Sequence, residues 1–156
     1  MNALAEPVSK LPDVGTTIFT VMSALASEQG ALNLSQGFPD FDGPESLLQA
    51  VNKHMRSGQN QYPPMAGVSA LREAIAKKVL DLYGLACDAD TEITVTAGAT
   101  EALFCAIAAV VHAGDEVIVL DPAYDSYDPV IRLQGALPVH VSLMAPAYRL
   151  DWDRIE

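Results

Sequence analysis

The chain predicts an α/β protein: a three-layer α/β/α arrangement on a mostly parallel sheet, preceded by an N-terminal arm. Three observations carry that prediction. Beyond about residue 90, short β-branched or apolar runs alternate with helical patterns, the rhythm of parallel strands joined by crossover helices. The run EVIVL at 116–120 is apolar without alternation after its first residue, as in a strand covered on both faces. The stretch ITVTAGATEAL, 93–103, passes from a β-branched run through Gly98 into a helical pattern with no linker.

The elements follow in order. Residues 1–30 form an arm in which Pro7, Pro12 and Gly15 discourage early regular structure, while 18–26 (IFTVMSALA) suits a helix that Gly30 ends. The segment NLSQGFPDFDGP, 33–44, is punctuated by Gly37, Pro39, Gly43 and Pro44 and is a loop. Its two phenylalanines, Phe38 and Phe41, are unusual there, because loops of this kind often line a site. A helix over 45–57 places Leu47, Leu48, Val51 and Met55 on one face, with Gly58 at the C′ position. NQYPPMAG, 60–67, is a second Pro/Gly loop. The helix at 68–83 repeats Val68, Leu71, Ile75, Val79 and Leu82 along its apolar side, with Arg72, Glu73, Lys77 and Lys78 mostly covering the other. A strand at 93–96, a helix at 100–112, a strand at 116–120, a helix at 124–135 despite Pro129, and a strand at 138–143 complete the alternation. RLDWDRIE at the end suggests the start of one more helix.

Composition bounds the function. With 156 residues, half of them hydrophobic and 19% charged, the chain is globular in character. No apolar run reaches the roughly 18 residues of a membrane span, and the N-terminus lacks the pattern of a signal peptide, so a cytoplasmic location is expected. A net charge of −11 argues against a nucleic-acid surface but not against an anionic ligand held by backbone N–H groups. Cys87 and Cys105 read as buried or half-buried free thiols, and His54, His112 and His140 have no zinc-ligand spacing. His112 reads as a partner for a helix C-terminus.

Two strand ends carry chemistry, since ligands of open α/β sheets bind beyond the carboxyl ends of strands. At AGAT, 97–100, Gly98 tolerates positive φ, Ala99 permits close approach, and a helix N-terminus presents unpaired N–H groups to a phosphate. At DPAYDSY, 121–127, Tyr124 is placed to stack on a flat ring. Together they suggest a phosphorylated planar cofactor; a small-residue turn beside a surface tyrosine is the other reading of the spacing. There is no G-x-G-x-x-G, P-loop or G-x-S-x-G pattern.

The ordered set SKLPDVGTTIF, NLSQGFPDFDGP, NQYPPMAGVSALREAI, ITVTAGATEAL and DEVIVLDPAYDSYDP resembles the fold-type I pyridoxal-phosphate aminotransferases of class I/II. The likeness runs from Ser9 to Glu156 and is strongest to the methionine aminotransferase and kynurenine–glutamine transaminase group. It implies pyridoxal 5'-phosphate as cofactor, a homodimer, and ping-pong transfer of an amino group from methionine or a similar apolar or aromatic amino acid to a 2-oxo acid. It further implies that Gly98, Ala99 and Thr100 hold the cofactor phosphate and Tyr124 stacks on its ring. Gly37 offers backbone to the substrate carboxylate, Tyr62 reaches the phosphate in the neighbouring subunit, and Phe19 borders the substrate side chain. Residues 1–44 are then the arm and an active-site loop segment, and 45–156 the first part of a truncated cofactor-binding domain.

The chemistry also needs a Schiff-base lysine and a carboxylate on the ring nitrogen. Lys10, Lys53, Lys77 and Lys78 are the four lysines, and each reads as surface. In the family the lysine lies later in sequence, which implies a fragment that is inactive alone and a strand 93–96 with no neighbour to pair with. A β-lyase or related reaction on the same fold, or a binding or regulatory module without catalysis, remains an alternative.

Overall fold

The computed structural model describes residues 8–37 and 39–155, so Pro7 and Phe38 lie outside the described residues. The chain divides into two compact units. One comprises Ala26–Ala97; the other takes the chain up to Leu25 and from Gly98 onward. Helix α1, Ile18–Glu28, runs through the first boundary and ends near Gly30, whose φ is +58°.

The Ala26–Ala97 unit contains α2 (Glu45–Arg56) and α3 (Ser69–Tyr83). Both end as their glycines dictate. Gly58 takes φ +83° one residue past the Ser57 cap, and Gly84 takes φ +68° while donating its N–H to Leu80 O at 2.9 Å. The apolar face of α2 is open to solvent, with Leu47, Leu48, Val51 and Met55 each about half exposed.

Arg72 is the correction in this unit. It belongs to the buried side of α3, not the solvated one, with 9% relative exposure. Its position explains this, because residue 72 falls four after Val68 and three before Ile75, inside the apolar stripe. The guanidinium is satisfied on several sides. Its Nε donates to Gly67 O at 3.2 Å, and Nη1 donates to Ala89 O and pairs with Asp90 at 3.0 Å. Gly67, at φ +100°, packs so closely on Val95 that a Cβ would stand 2.7 Å from its side chain. Beside it, Val95 N–H bonds to Ala66 O at 3.0 Å. Segment 93–96, expected as a strand, forms no ladder among the described residues.

The second unit holds α4 (Ala99–Val110), β1 (Glu116–Asp121), α5 (Tyr127–Leu133) and β2 (Leu137–Ser142). β1 and β2 pair in parallel from Glu116↔Leu137 to Asp121↔Ser142, with α5 as the crossover. The core is Val119, Ile131 and Ala136, against which Ile107, Val111, Val117 and Tyr127 pack. Helices therefore cover the Val117/Val119 face of β1, while Ile118 (51%) and Leu120 (38%) on its other face are exposed. The expected two-sided burial of β1 is thus met on one side only, since no element among the described residues packs on the other.

Helix α5 is shorter than the sequence suggested. It starts at Tyr127, after the turn that follows a cis Asp121–Pro122 peptide. Pro129 then falls in its first turn, where the missing N–H has no intrahelical role. The final stretch forms only a 3₁₀ turn, Trp152–Arg154, in place of the expected helix start. His112 lies beyond α4 in the following turn. It takes Asp115 as partner, through its N–H at 2.7 Å and Nδ1 at 3.6 Å, instead of the helix end. Cys87 is half-buried, and Cys105 is exposed, not buried; both are free thiols.

Replacing Arg72 with Met should lower stability by about 2–4 kcal/mol, because the buried carbonyl of Gly67 and the half-buried one of Ala89 lose their donor. The expected reading is a lower urea midpoint at unchanged slope; an unmoved midpoint would show that water satisfies those carbonyls equally well.

Candidate functional site

The site is built where β1 ends and α4 begins. Gly98 is the N-cap of α4 with φ +89° and ψ 173°, a region that in practice only glycine occupies. It supplies no capping side chain. Ala102 N–H bonds to Gly98 O at 3.3 Å, closing the first turn, so the amides of Ala99 and Thr100 precede the hydrogen-bonded ladder. A Cβ built on Gly98 meets no atom within 4 Å; the constraint on this residue is conformational.

Tyr124 comes to the same place from the other strand end. Its hydroxyl lies 3.3 Å from the Thr100 hydroxyl, either of which can donate. Its ring meets Tyr127 edge-on, with centroids 5.8 Å apart and planes at 78°, and Tyr127 N–H bonds to Tyr124 O at 3.1 Å. Tyr124 remains 42% exposed. A groove of about 220 Å³ adjoins this pair, bordered by Thr17, Thr100, Phe104, Asp125 and Ser126 among others.

The structure thus brings Tyr124 to Gly98, Ala99 and Thr100, although it lies 24 residues beyond Thr100 in sequence. Phe19 lies on α1 and is 36% exposed. Gly37 and Tyr62 belong to loops of the other unit. Tyr62 is 99% exposed, and Gly37 has open space where a Cβ would stand.

Two arrangements escaped the reading of the sequence. One is Arg72. The other is His140 on β2, whose Nδ1 lies 3.0 Å from Asp121 and whose Nε2 lies 3.2 Å from Asp128. Hydrogen bonds to Asp121 and then Asp128 raise its pKa above the ordinary 6.5, against a small opposing effect of desolvation. The signal was a polar residue in the middle of the strand LPVHVS and two aspartates bracketing one turn.

A model of the family "Aminotransferase class I and II" matches residues 29–156. The chain belongs to the class I and II aminotransferase family. It is 60% identical over 146 residues to the methionine aminotransferase of Escherichia coli, covering 94% of this chain and 38% of that protein. It is 46% identical over 150 residues to a probable N-succinyldiaminopimelate aminotransferase of Mycobacterium tuberculosis, again covering 38% of the relative. A crystal structure of Escherichia coli YbdL, described as having a methionine aminotransferase function, superposes with a TM-score of 0.91 at 58% identity. It covers 97% of this chain and 40% of that one. The chain therefore spans about two fifths of the length of these relatives.

The family is pyridoxal-phosphate-dependent, and the donor set fits such a group. Neutral backbone amides and a hydroxyl at a helix N-terminus suit a phosphate. An exposed tyrosine ring within reach of the same hydroxyl suits a pyridine ring. Among the described residues no His, Cys, Asp and Glu cluster could hold a metal ion, and no helix is long and apolar enough to cross a membrane.

Gly98→Ala should cost about 1–3 kcal/mol, because φ +89° with ψ 173° is strained for any L-residue even with room for the methyl. A fall in thermal midpoint is expected; an unchanged midpoint would mean that the turn relaxes without loss.

Proposed function

We propose that the whole protein carrying this chain is a pyridoxal-phosphate-dependent aminotransferase, transferring an amino group from methionine or a similar apolar or aromatic amino acid to a 2-oxo acid. The observation that carries this reading is the meeting of Thr100 and Tyr124 hydroxyls at 3.3 Å. A phosphate-type donor set and a ring-stacking side chain share one place in a chain that belongs to the family. The 60% identity to a methionine aminotransferase supports the substrate class.

When bound, the cofactor supplies an electron sink for the substrate's α-carbon. This chain's own residues bind and orient. The Ala99 and Thr100 amides and the Thr100 hydroxyl hold the phosphate, and Gly98 shapes the turn that presents them. Tyr124 lies against the ring and fixes its plane. Gly37 offers backbone to the substrate carboxylate, and Phe19 adds apolar surface beside its side chain. Tyr62 reaches the phosphate site of a second subunit, which its 99% exposure leaves it able to do. The functional unit is then a homodimer. Residues 45–156 are the first part of the cofactor-binding domain and 1–44 its arm and loop segment. None of the four lysines is suited to bond the cofactor. Lys53 sits in the last turn of α2, and Lys77 pairs with Asp81 at 2.6 Å on an exposed face of α3. The cofactor-bonding lysine lies elsewhere in the protein, and the 156 residues alone are inactive.

Product analysis on the whole protein tests the reaction. Methionine with a 2-oxo acid acceptor should yield the 2-oxo acid of methionine and the acceptor's amino acid in equal amounts. Release of a thiol, or of carbon dioxide, in place of the exchanged pair would overturn the transaminase reading in favour of another reaction on the fold. Thr100→Val should weaken pyridoxal 5'-phosphate binding about tenfold, the loss expected for one hydrogen bond to a charged acceptor. Gly37→Ala should leave stability within about 0.5 kcal/mol while raising the KM for the amino acid; an unchanged KM would remove Gly37 from the site.

A further inference from the structure

The loop that carries Tyr124 is bounded by two aspartates, Asp121 at the end of β1 and Asp128 in the first turn of α5. Both carboxylates point at one imidazole. His140 Nδ1 lies 3.1 and 3.0 Å from the two oxygens of Asp121, and Nε2 lies 3.2 Å from Asp128. We propose that His140 is a positioning residue for Tyr124: its imidazole joins the two ends of the 121–128 loop and so fixes the ring that lies against the cofactor. This rests on the reading of Tyr124 as the stacking side chain.

The chemistry of the bridge is specific. A carboxylate only accepts, so each ring nitrogen must carry a proton to bond both aspartates, and only the imidazolium does. A neutral ring bonds one carboxylate and turns a lone pair toward the other, whichever tautomer it adopts. The groups facing His140 are Asp121 from β1 and Asp128 from α5. Behind them, Arg132 of α5 lies 3.5 Å from Asp128 and 3.1 Å from Asp13 of the arm. The charges therefore alternate along Asp121, His140, Asp128, Arg132 and Asp13. The elevated pKa of His140 favours the bridged form. Its sign follows: the bridge is complete below the ordinary value of 6.5 and is lost as pH rises through the higher folded value. Within the loop, Tyr127 N–H bonds to Tyr124 O at 3.1 Å, while Leu143 N–H to Asp121 O at 2.8 Å holds Asp121 to β2, the strand that carries His140.

The test uses the whole protein, with NMR of the His140 ring nitrogens and the pyridoxal 5'-phosphate dissociation constant measured from pH 6 to 9. The imidazole should titrate above 6.5 in the wild type and move back toward it in both Asp121→Asn and Asp128→Asn. His140→Gln, with a single donor group, should bind the cofactor about tenfold more weakly at the low end of the range, the loss of one charge-assisted hydrogen bond. Asp128→Asn is the discriminating variant. Its amide donates to a neutral ring nitrogen, so the loop stays closed and affinity should not fall through the pH range in which the wild type weakens. Comparing each variant with the wild type at equal pH removes the ligand's own titration. An imidazole titrating at its ordinary value, or a His140→Gln protein with wild-type affinity and pH profile, would overturn this inference alone. A wild type that binds no pyridoxal 5'-phosphate at any pH would overturn the proposed function and with it the role of Tyr124, whatever the imidazole titration shows.

Discussion

The packing of α4 and α5 onto one face of β1 decides where the site can be. Ile107 and Val111 of the α4 segment and Ile131 of α5 meet Val117 and Val119 in one cluster. Fully burying a side chain of this kind, as at Val119 and Ile131, is worth roughly 1.5–3 kcal/mol. The cluster fixes the helix N-terminus beside the carboxyl end of the strand. With those two ends adjacent, Thr100 and Tyr124 can meet although they are 24 residues apart. Neither residue contributes much to the packing, and both are exposed. The fold holds the site from behind, and the site residues are left to face a ligand.

Backbone conformation does the finer work. Gly98 takes a backbone conformation that in practice only glycine occupies, directly before the first amides of α4. In the Ala26–Ala97 unit the same logic appears at Gly67, where a side chain would collide with Val95. There Arg72 completes the arrangement by joining Gly67 O, Ala89 O and Asp90. Each glycine is thus tied to a particular neighbour or a particular φ.

Much of this was legible in the sequence because local rules and tertiary context agree. Gly58 and Gly84 end their helices where the apolar periodicity stops, and the strands at 116–121 and 137–142 follow from β-branched content. The start of α4 directly after Gly98 was legible as a glycine followed by a helical pattern. What periodicity could not supply was pairing between distant residues. His140 looks like an ordinary polar strand residue until Asp121 and Asp128 are brought to it by the parallel crossover. Arg72 looks like a surface charge until the carbonyls of Gly67 and Ala89 are seen to need a donor. Segment 93–96 shows the converse. Its β-branched content is right for a strand, yet a strand exists only through a ladder, and the segment forms none among the described residues, though Val95 N–H bonds to Ala66 O.

The electrostatics of the site follow from the composition. A chain with net charge −11 has few cations to spend on a phosphate. Arg72 is committed to backbone carbonyls and Asp90, and Arg132 to Asp13 and Asp128. The candidate phosphate site instead uses neutral groups: fixed N–H dipoles at the start of α4 and the Thr100 hydroxyl. Such dipoles need no counter-charge and are already oriented, so a phosphate recovers its lost hydration without reorganising the site. Asp125 at the adjoining groove and the carboxylates of Asp121 and Asp128 would by themselves oppose an anion. The imidazole of His140 sits against both Asp121 and Asp128, and the guanidinium of Arg132 sits against Asp128. Arg132 offsets Asp128, and a protonated His140 offsets both carboxylates, so the loop would then oppose the anionic ligand proposed for Thr100 and Tyr124 less strongly.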